Sequence, residues 1–305
     1  MISSSESPAV TRPAPQLRRS GCLSVARFEA MASPCEVLVD TPDADEARRV
    51  GRVVADEVAR IERKFSRYRD DSVVAAIQAA RGAAFEVDAE TARLLDYGQE
   101  LYALSAGAFD LTCGVLRRVW TFDGSDRVAS EQEVDALKPF MGWSKVSWDG
   151  RRIRLPLGMQ IDFGGIGKEY AADRALMRAR RHSNSPILVN LGGDLCCSGP
   201  RRGGAAWQIG VDTEGQGEAG SMLLLQSGAL ATSGDANRYL LRDGVRYSHV
   251  LDARTGWPVQ HAAHAVTVAA PSCIEAGSLA TLALLNGAAA ERFLALERVP
   301  HWVAR

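Results

Sequence analysis

Ile161-Asp162-Phe163-Gly164-Gly165-Ile166-Gly167-Lys168-Glu169-Tyr170-Ala171-Ala172-Asp173 is the stretch around which the chain is organised. An apolar run meets an acid, glycines follow at 164, 165 and 167, and an alanine-rich segment opens behind them. That is the pattern of a strand end, a tight turn and a helix start. Glycines let backbone N–H groups approach an anion, a helix N-terminus adds positive potential, and Lys168 can add a full charge. An ordinary strand-to-helix turn has the same local appearance. The dinucleotide fingerprint G-x-G-x-x-G is absent.

Upstream, Asp149-Gly150 makes a hairpin turn between short strands at 145–148 and 152–155. Ser130 and Glu133 form a capping box before Val134 and Leu137. The segment 107–114 sets Asp110 and Thr112 beside glycines just after a helix, where loops carry function; an Asx-type turn fits the same residues. That helix starts at Asp88, runs through Leu94, Leu95, Leu101 and Tyr102, and stops at Gly107. A short helix fits 72–80. A longer one fits 43–65, where Val50, Val53, Val54, Val58, Ile61 and Phe65 share a face. Residues 28–40 suit a strand.

Downstream, the central helix runs to about Arg181. Residues 186–191 form a buried strand ending in Gly192-Gly193-Asp194, a second glycine turn with an acid. Strands at 207–211 and 222–226 flank a loop with Gly215, Gly217 and Gly220. Ala231-Thr232-Ser233-Gly234-Asp235 reads as a third small-residue turn, and 246–251 as a strand carrying His249. A strand at 266–269 and helices at 274–285 and 288–296 close the chain. Strands come in pairs and runs without strict alternation with helices, so the fold class is α+β, with mixed or antiparallel sheets and flanking helices. There is no internal repeat.

A chain of 305 residues can bury a large core, and its net charge of -1 does not point to nucleic acid. No apolar run is long enough to span a membrane. The six cysteines include no C-x-x-C pair, which is poor zinc spacing and an unpromising disulfide framework. Residues 1–24 are rich in Ser, Pro and Arg and lack the apolar core of a signal peptide, and Cys22 has no hydrophobic segment before it. They are expected to form a disordered tail ahead of one domain over 25–305, and the protein is expected in the cytoplasm.

In order and wording, these blocks resemble the ApbE family, the FAD:protein FMN transferases. The resemblance runs from about Phe28 to the last helix. It takes in Met31-Ala32-Ser33, Ser66-Arg67-Tyr68, Ala108-Phe109-Asp110-Leu111-Thr112, the central stretch, and Val189-Asn190-Leu191-Gly192-Gly193-Asp194. It continues through Ala231 to Asp235, Ser248-His249-Val250-Leu251-Asp252-Ala253-Arg254-Thr255-Gly256, and Leu279-Ala280-Thr281. The resemblance implies an ApbE-like fold with FAD in a cleft between its two halves. It implies that Met31, Tyr68, Ala108, Phe109, Asp110, Asp162, Lys168 and the backbone near Val250 line FAD. It further implies transfer of FMN from FAD to a Thr or Ser of an acceptor flavoprotein, with release of AMP. His249 is then the candidate base, and Mg2+ is held by the Gly165 carbonyl and Thr281.

One departure bears on that chemistry. The family's metal motif is Asp-x-x-x-Thr, and here Gly277 stands four residues before Thr281. Glu275 lies about 200° round the helix from Gly277, a poor direct substitute. Glu169 replaces the family's Gly after Lys168 and brings charge nearby; Asp194 and Asp235 are further acids. Three readings follow: a transferase with a rebuilt metal site, an FAD-binding protein without transferase activity, and a metal-dependent FAD pyrophosphatase.

Overall fold

The structure is a computed structural model that describes residues 14–211, 220–235 and 238–305. Its centre is an eight-stranded sheet in the order Gln16–Ser20, Leu23–Ala30, Ser33–Asp40, Ile187–Leu191, Asp194–Cys197, Gly228–Gly234, Ala265–Ala270, His301–Ala304. Every neighbouring pair is antiparallel.

The helices Ala44–Phe65, Gly167–Ala179 and Cys273–Leu285 cover one face. Ala44–Phe65 begins where Asp43 accepts hydrogen bonds from the N–H groups of Asp45 and Glu46, and it buries the Val50, Val54, Val58, Ile61 and Phe65 stripe. That stripe joins Val37, Val39 and Val189 of the sheet and Ala171, Ala175 and Ala276 of the other two helices in the main core. The opposite sheet face buries Leu188, Leu195, Cys197 and Leu230 under a two-stranded ribbon, Trp207–Val211 with Ser221–Leu225. Ile187–Leu191 is thus covered on both faces, which accounts for its unbroken apolar run.

A smaller body packs Val115, Leu116, Trp120, Val134, Leu137, Met141 and Leu240 together. It includes the 3-10 helix Leu111–Arg118 and the helix Glu131–Asp135, whose Ser130–Glu133 capping box forms as expected. The indole N–H of Trp120 donates to the Gly256 carbonyl at 2.9 Å and ties this body to the 252–256 turn. The expected hairpin around Asp149-Gly150 gains a third strand, Phe85–Glu86.

Several sequence expectations change. The expected tail over 1–24 ends sooner: Gln16–Ser20 is an edge strand paired with Leu23–Ala30. Its side chains are mostly exposed, so backbone pairing holds it and no apolar pattern marks it; residues 1–13 lie outside the described residues. Ala231 to Gly234 is not a turn but part of the strand Gly228–Gly234, with small residues because the neighbouring strand lies close. A Cβ on Gly234 would sit 2.5 Å from the His264 carbonyl oxygen. His249 lies just past its expected strand, which ends at Ser248. The loop glycines Gly215 and Gly217 fall outside the described residues. No helix among the described residues is long and apolar enough to cross a membrane.

Candidate active site

One end of the large sheet gathers most of the candidate residues. Ala30 pairs with Ser33 and Leu191 with Asp194, so the turns at Met31-Ala32 and Gly192-Gly193 lie at the same end of adjacent hairpins. Gly192 has φ +68°, and a Cβ there would meet Ser33 Cβ at 2.7 Å and Lys168 Nζ at 3.6 Å. Only glycine suits both the backbone and the space. Lys168, in the first turn of Gly167–Ala179, donates to the Ser33 hydroxyl at 2.7 Å. The Lys168 ammonium and the glycine turn thus stand side by side.

The central turn is held by Asp162. Its carboxylate accepts from Gly164 N–H at 2.8 Å and pairs with Arg67, while its own N–H donates to the Leu111 carbonyl at 2.8 Å. Arg67 also donates to the Tyr68 hydroxyl at 2.7 Å, and its guanidinium lies 4.9 Å from the Tyr68 ring centroid. Arg117 approaches the same ring at 5.9 Å. Tyr68 is 75% exposed, an aromatic face open to a planar ligand and framed by two cations. The sequence assigns Arg67 no role of its own. Its neighbour Tyr68 was a signal, but the pairing with Asp162 spans 95 positions and could not be read locally.

Ala108, Phe109 and Asp110 are buried. The Ala108 carbonyl accepts from Ala253 N–H at 3.0 Å, joining this loop to the 252–256 turn. Phe109 packs on the central turn, where a Cβ at Gly165 would lie 2.9 Å from its ring. Asp110 behaves as the Asx turn foresaw: it accepts from Thr112 N–H and hydroxyl, both at 2.7 Å, and from Trp143 N–H at 2.8 Å. Burial raises its pKa against those hydrogen bonds. Its observed role is to hold the loop.

His249 and Val250 bridge the strands Val245–Ser248 and Leu251–Asp252. Val250 N–H donates to the Ser248 hydroxyl at 3.2 Å and its carbonyl accepts from Val259 N–H at 3.0 Å. The His249 ring stands edge-on to Phe122, with centroids 6.3 Å apart. Its Nδ1 is buried without a partner. Burial lowers the imidazole pKa, with Arg238 and more weakly Lys168 adding to the effect. His249 is therefore neutral near pH 7, with a free ring nitrogen.

Beside Lys168, Glu169 and Asp194 are both buried. Burial raises both carboxyl pKa values, and Asp194 raises that of Glu169 further. Glu169 abuts Gly277 on the helix Cys273–Leu285, and from that helix Thr281 shares a hydrogen bond of 3.0 Å with Ser233. Asp235 is engaged elsewhere, paired with Arg246 at 3.0 Å. Among the described residues, no three His, Cys, Asp or Glu side chains cluster as a metal site. A site made from a backbone carbonyl, a hydroxyl and one carboxylate has a different composition.

Over residues 31–301 the chain matches the ApbE family. It belongs to that family. An FAD:protein FMN transferase of Vibrio cholerae is 29% identical over 231 residues, covering 73% of this chain and 69% of its own length. The FAD:protein FMN transferase of Treponema pallidum is 31% identical over 249 residues, covering 73% of this chain and 67% of its own. The crystal structure of an ApbE protein from Thermotoga maritima has a TM-score of 0.83 at 32% identity, covering 92% of this chain and 94% of that one. The antiparallel α+β architecture is thus an ApbE architecture.

Proposed function

We propose that this ApbE-family protein is an FAD:protein FMN transferase, moving the FMN half of FAD onto a Thr or Ser hydroxyl of an acceptor flavoprotein and releasing AMP. The observation that carries this reading is the sheet end itself. There Lys168 stands beside the Gly192-Gly193 turn, and its charge reaches the half-buried, neutral His249. A cation beside a turn whose Gly192 is exposed suits a pyrophosphate, and a neutral imidazole suits removal of a hydroxyl proton.

In this reading FAD lies between the sheet end and the smaller body. Tyr68, framed by Arg67 and Arg117, offers a face for a flat ring, and Met31 a polarisable contact. Asp162 and the buried Ala108–Asp110 loop shape the wall. Lys168 neutralises pyrophosphate charge as the acceptor oxygen displaces AMP, and His249 takes the proton from that hydroxyl. The Gly165 carbonyl and Thr281 hydroxyl are hard oxygen donors suited to Mg2+, and a buried carboxylate oxygen of Glu169 without a partner makes the region chemically fit for a cation. When bound, Mg2+ supplies further charge neutralisation at the pyrophosphate.

The test is AMP release from FAD by the purified chain, with and without an acceptor domain. AMP that requires the acceptor, with flavin covalently attached to it, supports the transferase. AMP with free FMN and no acceptor requirement would make the protein a pyrophosphatase. Bound FAD with no AMP under any condition would make it a binding protein.

A further inference from the structure

The ApbE resemblance implies a glycine at 169 and an acid at 277, and this chain has Glu169 and Gly277. The two positions are far apart in sequence and in contact in the fold. A Cβ built on Gly277 would lie 2.5 Å from Glu169 Cγ, 2.7 Å from Oε1 and 3.0 Å from Cδ. The Glu169 carboxyl therefore fills the space into which a side chain at 277 would project. A side chain at 277 and the acid at 169 exclude each other in this arrangement, because both enter one space from two different helices.

The carboxylate also lacks an internal purpose. Glu169 is 8% exposed, and its Oε2 is buried without a hydrogen-bond partner. The adjacent cation, Lys168, is turned to Ser33. Buried carboxylates are normally paired, hydrogen-bonded or bound to a metal. Thr281 lies four residues after Gly277, on the same helix face one turn along. It holds its hydroxyl within 3.0 Å of Ser233.

We propose that Glu169 is the carboxylate ligand of a divalent-cation site at this point, reaching from the helix Gly167–Ala179 to take the place of the acid missing at 277. The proposal rests on the transferase reading for its use, since the cation would serve the pyrophosphate. The donors are all oxygen, which selects a hard cation such as Mg2+ or Mn2+.

The test uses the full chain stripped of metal, with Mn2+ alone as the probe, titrated by electron paramagnetic resonance and competed with Mg2+. The wild type is expected to bind one Mn2+. Glu169→Gln keeps the shape and loses the charge, and its affinity should fall by at least about 10–100-fold, which is what loss of an outer-shell partner costs a metal site. The double variant Glu169→Gly with Gly277→Asp moves the carboxylate to the other helix and should regain wild-type affinity to within about threefold. No Mn2+ site in the wild type, or unchanged affinity in Glu169→Gln, overturns the proposal by reducing Glu169 to a neutral space-filler. If Glu169→Gln does not fold, the double variant decides: a folded protein without the Mn2+ site overturns it equally. AMP release on the same samples separates the two claims. A wild type that binds Mn2+ through Glu169 but releases no AMP with acceptor refutes the transferase and leaves the ligand assignment standing.

Discussion

Met31 and Ala32 join the strands Leu23–Ala30 and Ser33–Asp40 with φ of +51° and +56°. A two-residue hairpin turn of this hand favours Asn or Gly, and non-glycine residues there carry strain. A long apolar side chain in that conformation, at the same sheet end as Lys168, points to a role in contact with ligand. Met31→Gly should leave the melting temperature nearly unchanged, because relief of about 1–2 kcal/mol of left-handed backbone strain offsets lost packing and the greater freedom of glycine in the unfolded chain. Its FAD affinity, read by fluorescence titration, should fall about fivefold or more. Equal affinity would remove Met31 from the flavin site. His249 differs in kind, since its free Nδ1 has no structural task. His249→Gln should lower acceptor-dependent AMP release by about 10²–10³-fold while leaving FAD affinity within about twofold. The sign of the pH dependence follows from burial. A lowered imidazole pKa keeps the base neutral into mildly acidic solution, so kcat/KM of the wild type should begin to fall only below about pH 6.5. The variant should lose that limb, and a wild-type limb above the ordinary imidazole range would contradict the burial seen here.

At the scale of elements, three helices are locked by a charge network at their solvent-facing seam. Arg60 of Ala44–Phe65 donates to Glu90 of Ala89–Leu104 at 2.7 Å and to the buried Glu57 at 2.8 Å. Lys64 and the Tyr170 hydroxyl reach the same Glu90 at 2.7 and 2.8 Å, and Arg178 of Gly167–Ala179 reaches Glu57 at 3.1 Å. The hydrogen bond from Arg60 does most to hold the Glu90 carboxyl far below its usual pKa. Glu90→Gln should therefore cost about 2 kcal/mol in denaturant unfolding at pH 7. A depressed carboxylate pKa stabilises the fold above the unfolded-state value of about 4.3, and that contribution fades as pH falls below it. The gap between wild type and Glu90→Gln should accordingly shrink below about pH 4; a constant gap would mean that packing, not charge, holds the seam. The caps at Asp88 and Ser130 were legible in the sequence because each lies within three residues of its partner, and both cap as read; Asp43 and Ser72, read only as helix starts, cap their helices as well. The glycine turns at 164–165 and 192–193 were legible for the same reason. The Arg67–Asp162 pair, the contact of Glu169 with position 277, and the edge strand Gln16–Ser20 were not. Each depends on partners brought together by the fold or on backbone pairing without an apolar signature.

At the scale of the molecule, the central turn and the 108–110 loop are tied to the smaller body at the proposed cleft. The 108–110 loop bonds to the 252–256 turn, the turn bonds to Trp120, and Asp162 bonds to Leu111. Gly114 is packed so tightly beneath this junction that a Cβ would meet Asp162 Cβ at 2.8 Å. A ligand that spans both sides would therefore restrain segments far apart in sequence at once. FAD at a hundredfold excess over its Kd should stabilise the chain by about 2.7 kcal/mol. For a protein of this size that is about 4 °C in Tm by differential scanning calorimetry. Amide hydrogen exchange should locate the gain. Protection is expected together at 30–33, 108–114, 191–194 and 249–256, the turns that meet around the proposed cleft. The ribbon Trp207–Val211 and Ser221–Leu225 covers the opposite sheet face and should exchange at an unchanged rate. Protection confined to the sheet end would place FAD on one body alone, and the smaller body would then be left as a scaffold for the acceptor. Protection of the ribbon as well would mean that binding tightens the whole sheet, and the lining residues named here could no longer be separated from the core that supports them.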